Sequence, residues 1–227
     1  MPRIFLLSPA TCSGRRAQAL VSPRASFELA QRVRAPEGAP LADVFTFLSG
    51  LYFRGKIAYA LRFARPPGRL TRAGIRGQES GIRSVPDAGG VFVITPSRGL
   101  QMPGYPLTAT VLEEFARVGI DSANDAYRKP LEASARLVAD LAGKRAEVVL
   151  LGSIATGKYV DVLLDVFGDR LLFPGDFVGR GDMSRGGLML RCARAGQELS
   201  YTPVRGAVRH GARPPRLEPL RRVTKSG

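Results

Sequence analysis

Histidine, cysteine and tryptophan are nearly missing from this chain, and each scarcity closes off a chemistry. Tryptophan is absent, His210 is the single histidine, and Cys12 and Cys192 are the only cysteines. Two distant thiols and one imidazole cannot make a four-ligand Cys/His metal site. A Ser-His-Asp triad would need His210, which stands in a tail rich in proline and arginine, a poor platform for positioned proton transfer. No run of about 18 apolar residues exists to span a bilayer. The opening MPRIFLLSPATC is too short for a secretory signal and is broken by Pro9. A cytoplasmic protein with reduced thiols, and no membrane partner, is therefore expected. Acidic residues are also scarce: 19 against 34 basic ones give a net charge of +15. Polyanions are the favoured partners of such a surface. The excess is largely arginine in a chain rich in alanine and glycine, so biased composition competes with nucleic-acid binding as its cause.

What is present is a strand and helix alternation with a 44% hydrophobic content, enough for one core. Ile4 to Leu7 reads as a buried strand stopped at Ser8-Pro9. Ser26 is an expected N-cap for a helix closed by Pro36. Pro40 opens a longer helical pattern through Leu41, Val44, Phe45, Leu48, Leu51 and Tyr52, with breaks offered by Gly50 and Gly55. Val91 to Thr95 is a second strand, and Thr110 with Glu113 forms a capping-box pattern. Leu131 to Leu141 is another helix ending at Gly143. Arg170 to Phe173 is a further strand, and Leu188–Ala193 with Glu198–Val204 alternates as a hairpin. The expected fold is α/β: three layers, a mainly parallel sheet with helices on both faces, and a C-terminal β-hairpin. The expected organisation is a single domain over 1–205 with an irregular insertion at 66–90, then a basic, disordered tail at 206–227.

The densest motif is EVVLLGSIATGKYVDVLLDVFG, Glu147 to Gly168, in which a buried strand turns through Gly152, Ser153, Thr156, Gly157 and Lys158 into an amphipathic helix. Helix-start amides and glycine make this a place for an anion. The spacing fits a phosphate loop, yet Tyr159 stands where a magnesium-binding hydroxyl belongs and Ile154 is bulky for a loop that wraps phosphate. Magnesium is implied only by that phosphate-loop alternative; no other cofactor and no metal is indicated. Asp161 and Asp165 read as a solvated helix face. A second segment, Arg180 to Gly187, offers Arg180 and Arg185 to clamp phosphate and Asp182 for acid, base or nucleophilic chemistry. Cys12 near Arg15 and Arg16 is a weaker thiolate candidate, and Tyr52, Phe53, Tyr59 and Phe63 read as core. In an open parallel sheet, the turns after the strands gather at one rim. Ser13, Arg15, Ser97, Arg98, Ser153 and Lys158 are thus expected to converge.

The segments LLSPATCSGRRA, LYFRGKIAYA, VVLLGSIATGKYV and FVGRGDMSRGGLMLR resemble those of a bacterial family of uncharacterised proteins over most of the chain to about Val204. The loop after the first strand is also faintly similar to the Pro-Cys-Ser loop of α/β proteins such as the peroxide-stress protein family. There Ser8-Pro9-Ala-Thr-Cys12-Ser13 stretches the loop, Arg15 or Arg16 replaces its lysine, and Arg98-Gly99-Leu100 supplies a later turn. That resemblance implies a link with nucleic acid. The expectation from the residues is a protein that binds a phosphate-containing small molecule, a nucleotide, or nucleic acid. Its most concrete version is an enzyme acting at a nucleobase or sugar-phosphate bond. The alternatives are a nonenzymatic nucleic-acid-binding module and a nucleoside triphosphatase of the phosphate-loop kind.

Overall fold

The buried strands Arg3–Leu7 (β1), Val91–Ile94 (β3), Glu147–Leu151 (β6) and Leu171–Pro174 (β7) lie side by side in parallel, as their near-continuous apolar runs require. The computed structural model describes residues 1–68, 70, 89–215 and 217. Most of the 66–90 insertion lies outside them. Within them the sheet has six strands, its edges being the antiparallel Leu100–Gln101 (β4) and Tyr201–Pro203 (β8). The order across it is β4-β3-β1-β6-β7-β8. Ala39–Pro40 (β2) and Pro106–Leu107 (β5) pair separately.

Eight α-helices cover the sheet among the described residues. One face carries Arg15–Val21 (α1), Glu28–Arg34 (α2), Leu41–Ser49 (α3), Leu51–Phe63 (α4), Ala109–Arg117 (α5) and Asp182–Ala195 (α8), packed on Phe5, Leu7, Val91, Val93, Val149 and Leu151. The other carries Asp125–Ala142 (α6) and Gly157–Phe167 (α7), packed on Ile4, Leu6, Ile94, Val148, Leu150 and Leu171. Successive strand residues alternate between the two cores, so a fully buried parallel strand is apolar throughout. The fold is thus a three-layer α/β sandwich. No helix among the described residues is long and apolar enough to cross a membrane.

Local chemistry sets the helix limits. Gly50, at φ 57°, ends α3 and starts α4, a conformation that favours glycine. Two boundaries differ from expectation: Thr108, not Thr110, caps α5 through Val111 N–H, and Phe27 rather than Ser26 occupies the N-cap of α2. A larger difference is Leu188–Ala193, which is helical within α8; the C-terminal antiparallel pairing is made by β8 with β7 instead. Gly55, expected as a possible break, and Gly186 instead serve helix packing. A Cβ on Gly55 would stand 2.5 Å from the Gly186 carbonyl oxygen, and one on Gly186 would stand 2.6 Å from that of Leu51. Backbones of α4 and α8 meet there directly.

Candidate functional site

The chain leaves β1 toward one face of the sheet, through α1, and leaves the neighbouring β6 toward the other, through α7. Adjacent parallel strands that diverge in this way open a crevice beyond their carboxyl ends, the usual ligand position in an open α/β sheet. Here Ser8 follows β1 and Gly152 and Ser153 follow β6, with Gly152 and Arg185 of α8 in the lining of the opening and α7 starting four residues beyond Ser153. Neither helix has a side-chain cap on its first amides: Thr156 and Gly181 hold the N-cap positions.

Behind the strand ends is a buried polar cluster. Lys56 of α4 has no exposed surface, and its Nζ donates to the Ser8 carbonyl at 2.7 Å and to Ser8 Oγ at 2.9 Å. The ammonium also lies 4.3 Å from the centre of the Tyr52 ring and 4.9 Å from that of Phe53. Among the described residues no carboxylate reaches ion-pair distance of it. Burial lowers its pKa from the usual 10.5 to about 7; Asp182 opposes that fall and Arg185 adds to it. Tyr159 of α7 donates to the Ser153 carbonyl at 2.8 Å, and its hydroxyl lies near enough to the Ser8 side chain for that side chain to oppose the rise of its pKa. Burial raises the Tyr159 phenol, and it raises that of Tyr52 as well. The Tyr52 hydroxyl is buried without a hydrogen-bond partner among the described residues; Arg185 is near enough to favour its phenolate but does not complete a bond to it.

Gly152 permits this arrangement. A Cβ there would lie 2.8 Å from the Ser8 Cβ, 2.9 Å from the Tyr159 hydroxyl and 3.1 Å from Ser8 Oγ. The same glycine lines a small crevice with Ile154, Phe177, Val178, Arg185 and Arg209.

The expected site residues divide into those gathered at this rim and those engaged elsewhere. Gly152, Ser153, Thr156 and Lys158 form the turn into α7; Lys158 is exposed, and no carboxylate among the described residues pairs with it. Ser153 Oγ accepts from Ala155 N–H at 3.3 Å. Arg185 spends Nε and Nη2 on the Phe177 carbonyl at 3.1 and 3.0 Å, and its Nη1 lies 3.5 Å from Asp182. Arg180 donates to the Asp176 carbonyl, Ser184 Oγ and the Pro215 carbonyl. The arginines therefore order the β7–α8 connection, and Asp182 stands exposed in the first turn of α8.

Ser97 and Arg98 leave β3 at the same rim but face α5: both side chains bond Glu114, and Arg98 also reaches Tyr105. Ser13 and Arg15 are exposed beside the start of α1 and do not line the crevice. Cys12 is buried, and burial pushes its thiol up to about 12, opposite to the effect expected from Arg15 and Arg16. Asp161 and Asp165 are exposed on α7, as expected, and Arg209 approaches Asp161 at 3.9 Å. Residues 206–215 have no regular structure and run across the β7–α8 connection, where Ala212 meets Gly179 and Gly211 meets Val178.

Ser8, Lys56, Tyr52 and Tyr159 were not expected as site members. The available signal was Lys56 itself, a lysine on the helix face shared by Tyr52, Tyr59, Ala60 and Phe63.

No family model, curated protein or solved structure matches the chain.

Proposed function

We propose that the protein binds a phosphate-containing ligand, a nucleotide or a nucleic-acid end, in the crevice beyond β1 and β6. The observation that carries this reading is the divergence of those two adjacent strands to opposite faces, with two helices starting at the opening without side-chain caps. Exposed Lys158 and the Arg209 guanidinium add positive charge there. The unpartnered Tyr52 hydroxyl supplies a further group suited to meeting a polar ligand atom. In this reading Ser153, Thr156 and the α7 amides take the phosphate and Lys158 adds long-range attraction. Arg180 and Arg185 shape the opposite wall, and Asp182 is the available acid or base for a reaction at a nucleobase or sugar-phosphate bond. A phosphate-loop triphosphatase fits less well, since the position after Lys158 is Tyr159, whose hydroxyl is used inside the fold. Nucleic acid as the larger partner is favoured by the charge of +15.

Titration calorimetry with a panel of nucleotides and short oligonucleotides tests the proposal. At least one phosphate compound should bind, and Lys158→Ala should weaken it about tenfold, or about 1.4 kcal/mol. Absence of binding by every phosphate compound, or unchanged affinity in Lys158→Ala and Ser153→Ala alike, overturns it.

A further inference from the structure

Ser8 and Lys56 lie behind the anion-binding opening rather than in it, and their geometry is that of a reactive pair. The Lys56 amine meets Ser8 Oγ at 2.9 Å from a position with no solvent exposure and, among the described residues, no carboxylate partner. A bracing lysine gains most by staying charged, so a salt bridge would be its expected complement; here two aromatic rings and a serine surround it. Ser8 follows β1 at the strand divergence. Gly152, which lines the crevice, packs against the Ser8 side chain, and the Tyr159 hydroxyl lies beside that contact. Glycine at that point gives an electrophile a close approach that any larger residue would block.

We propose that Ser8 and Lys56 are a nucleophile and its general base, acting on a phosphoester of the ligand held in the crevice. The proposal rests on the anion-binding reading above and extends it to a reaction. A neutral Lys56 amine takes the Ser8 hydroxyl proton while Ser8 Oγ forms a bond to phosphorus. The bond from phosphorus to the leaving alcohol oxygen breaks, and the Lys56 ammonium returns the proton to that oxygen. Water, deprotonated by Lys56, then attacks the phosphoserine phosphorus; the Ser8 Oγ–P bond breaks, the Lys56 ammonium returns its proton to Ser8 Oγ, and the phosphoryl group leaves with the water oxygen. The Tyr159 hydroxyl stands beside the serine side chain, and the first amides of α7 meet the negative charge that develops. Burial keeps a useful fraction of Lys56 neutral near pH 7. The groups facing the amine are Tyr52 and Phe53 on its own helix, Ser8 from β1, and Asp182 and Arg185, which act on it from α8.

The test is labelling of the full chain with an alkyl fluorophosphonate, which replaces the ligand's phosphorus by one bearing fluoride as leaving group. One adduct should form, mapped to Ser8 by peptide mass spectrometry, with fluoride released and a rate that climbs between pH 6 and 8. Ser8→Ala should take no label. Lys56→Met, checked for folding by circular dichroism, should keep Ser8 but label roughly 100-fold more slowly and without pH dependence. No Ser8 adduct in the unaltered protein, an equal rate in Lys56→Met, or a flat pH profile each overturns the pair; the profile needs no variant and so decides the matter even if Lys56→Met does not fold. Nucleotide calorimetry on the same samples separates the two proposals. Binding without a Ser8 adduct removes the pair and keeps the ligand site, whereas an adduct without any nucleotide binding does the reverse.

Discussion

Replacing Lys56 by methionine should remove a specific pH dependence of stability. In the folded chain Lys56 has a pKa of about 7, against 10.5 for an ordinary lysine. Between those values the unfolded chain binds a proton that the folded chain does not. Unfolding free energy therefore rises with pH, by up to about 1.4 kcal/mol per pH unit. From pH 7 to 8.5 the gain is about 1.5–2 kcal/mol, since half of the folded molecules still carry the proton at the start. The Lys56 contribution itself continues to about pH 10.5, but from about pH 9 Cys12, whose folded thiol is pushed up to about 12 from 9.0, ionises first in the unfolded chain and offsets it, so the rise levels off. Methionine keeps the unbranched shape and loses the titration. Urea unfolding of both proteins at several pH values from 6.5 to 8.5 measures the difference. Equal slopes in the two proteins, or a stability of the unaltered chain that falls with pH, would refute the assignment of a depressed pKa to this buried amine.

Gly186→Ala should destabilise the fold by about 1–3 kcal/mol in chemical denaturation, because its methyl meets the Leu51 carbonyl at 2.6 Å; a neutral effect would mean that α4 and α8 are less tightly apposed. Arg98→Ala should leave nucleotide affinity unchanged in calorimetry and cost at most about 1 kcal/mol of stability, as expected for a partly exposed ion pair with Glu114. Truncation after Val204 should expose the crevice wall formed with Arg209 and speed fluorophosphonate labelling of Ser8; a slower rate would show that the segment supports the site rather than screening it.

The parallel core was legible because β1, β3 and β6 are short apolar runs bounded by turns, and the break at Gly50 was legible because glycine favours the conformation found there. The helix α8 was not. Leu188, Leu190 and Cys192 alternate like a strand, and the helix buries little besides Gly186 and Met189, since its contact with α4 is made through backbone. The turn at Gly152 to Lys158 could be read locally, for strand, turn and helix are contiguous there. The buried cluster could not, because Ser8, Lys56 and Tyr159 are brought together by three elements far apart in sequence. Ser97 and Arg98 did leave a strand at the expected rim, but Glu114 on α5 provides a nearer counter-charge, which spacing along the chain does not reveal.

The abutment of Gly55 on Gly186 also has an evolutionary corollary. Where these two glycines meet, backbone touches backbone and repacking of side chains cannot absorb drift, so this part of the cleft wall and the amine beneath it change together. Substitution at either glycine would demand a concerted shift of both helices, and diversification should fall instead on the turn residues around the opening.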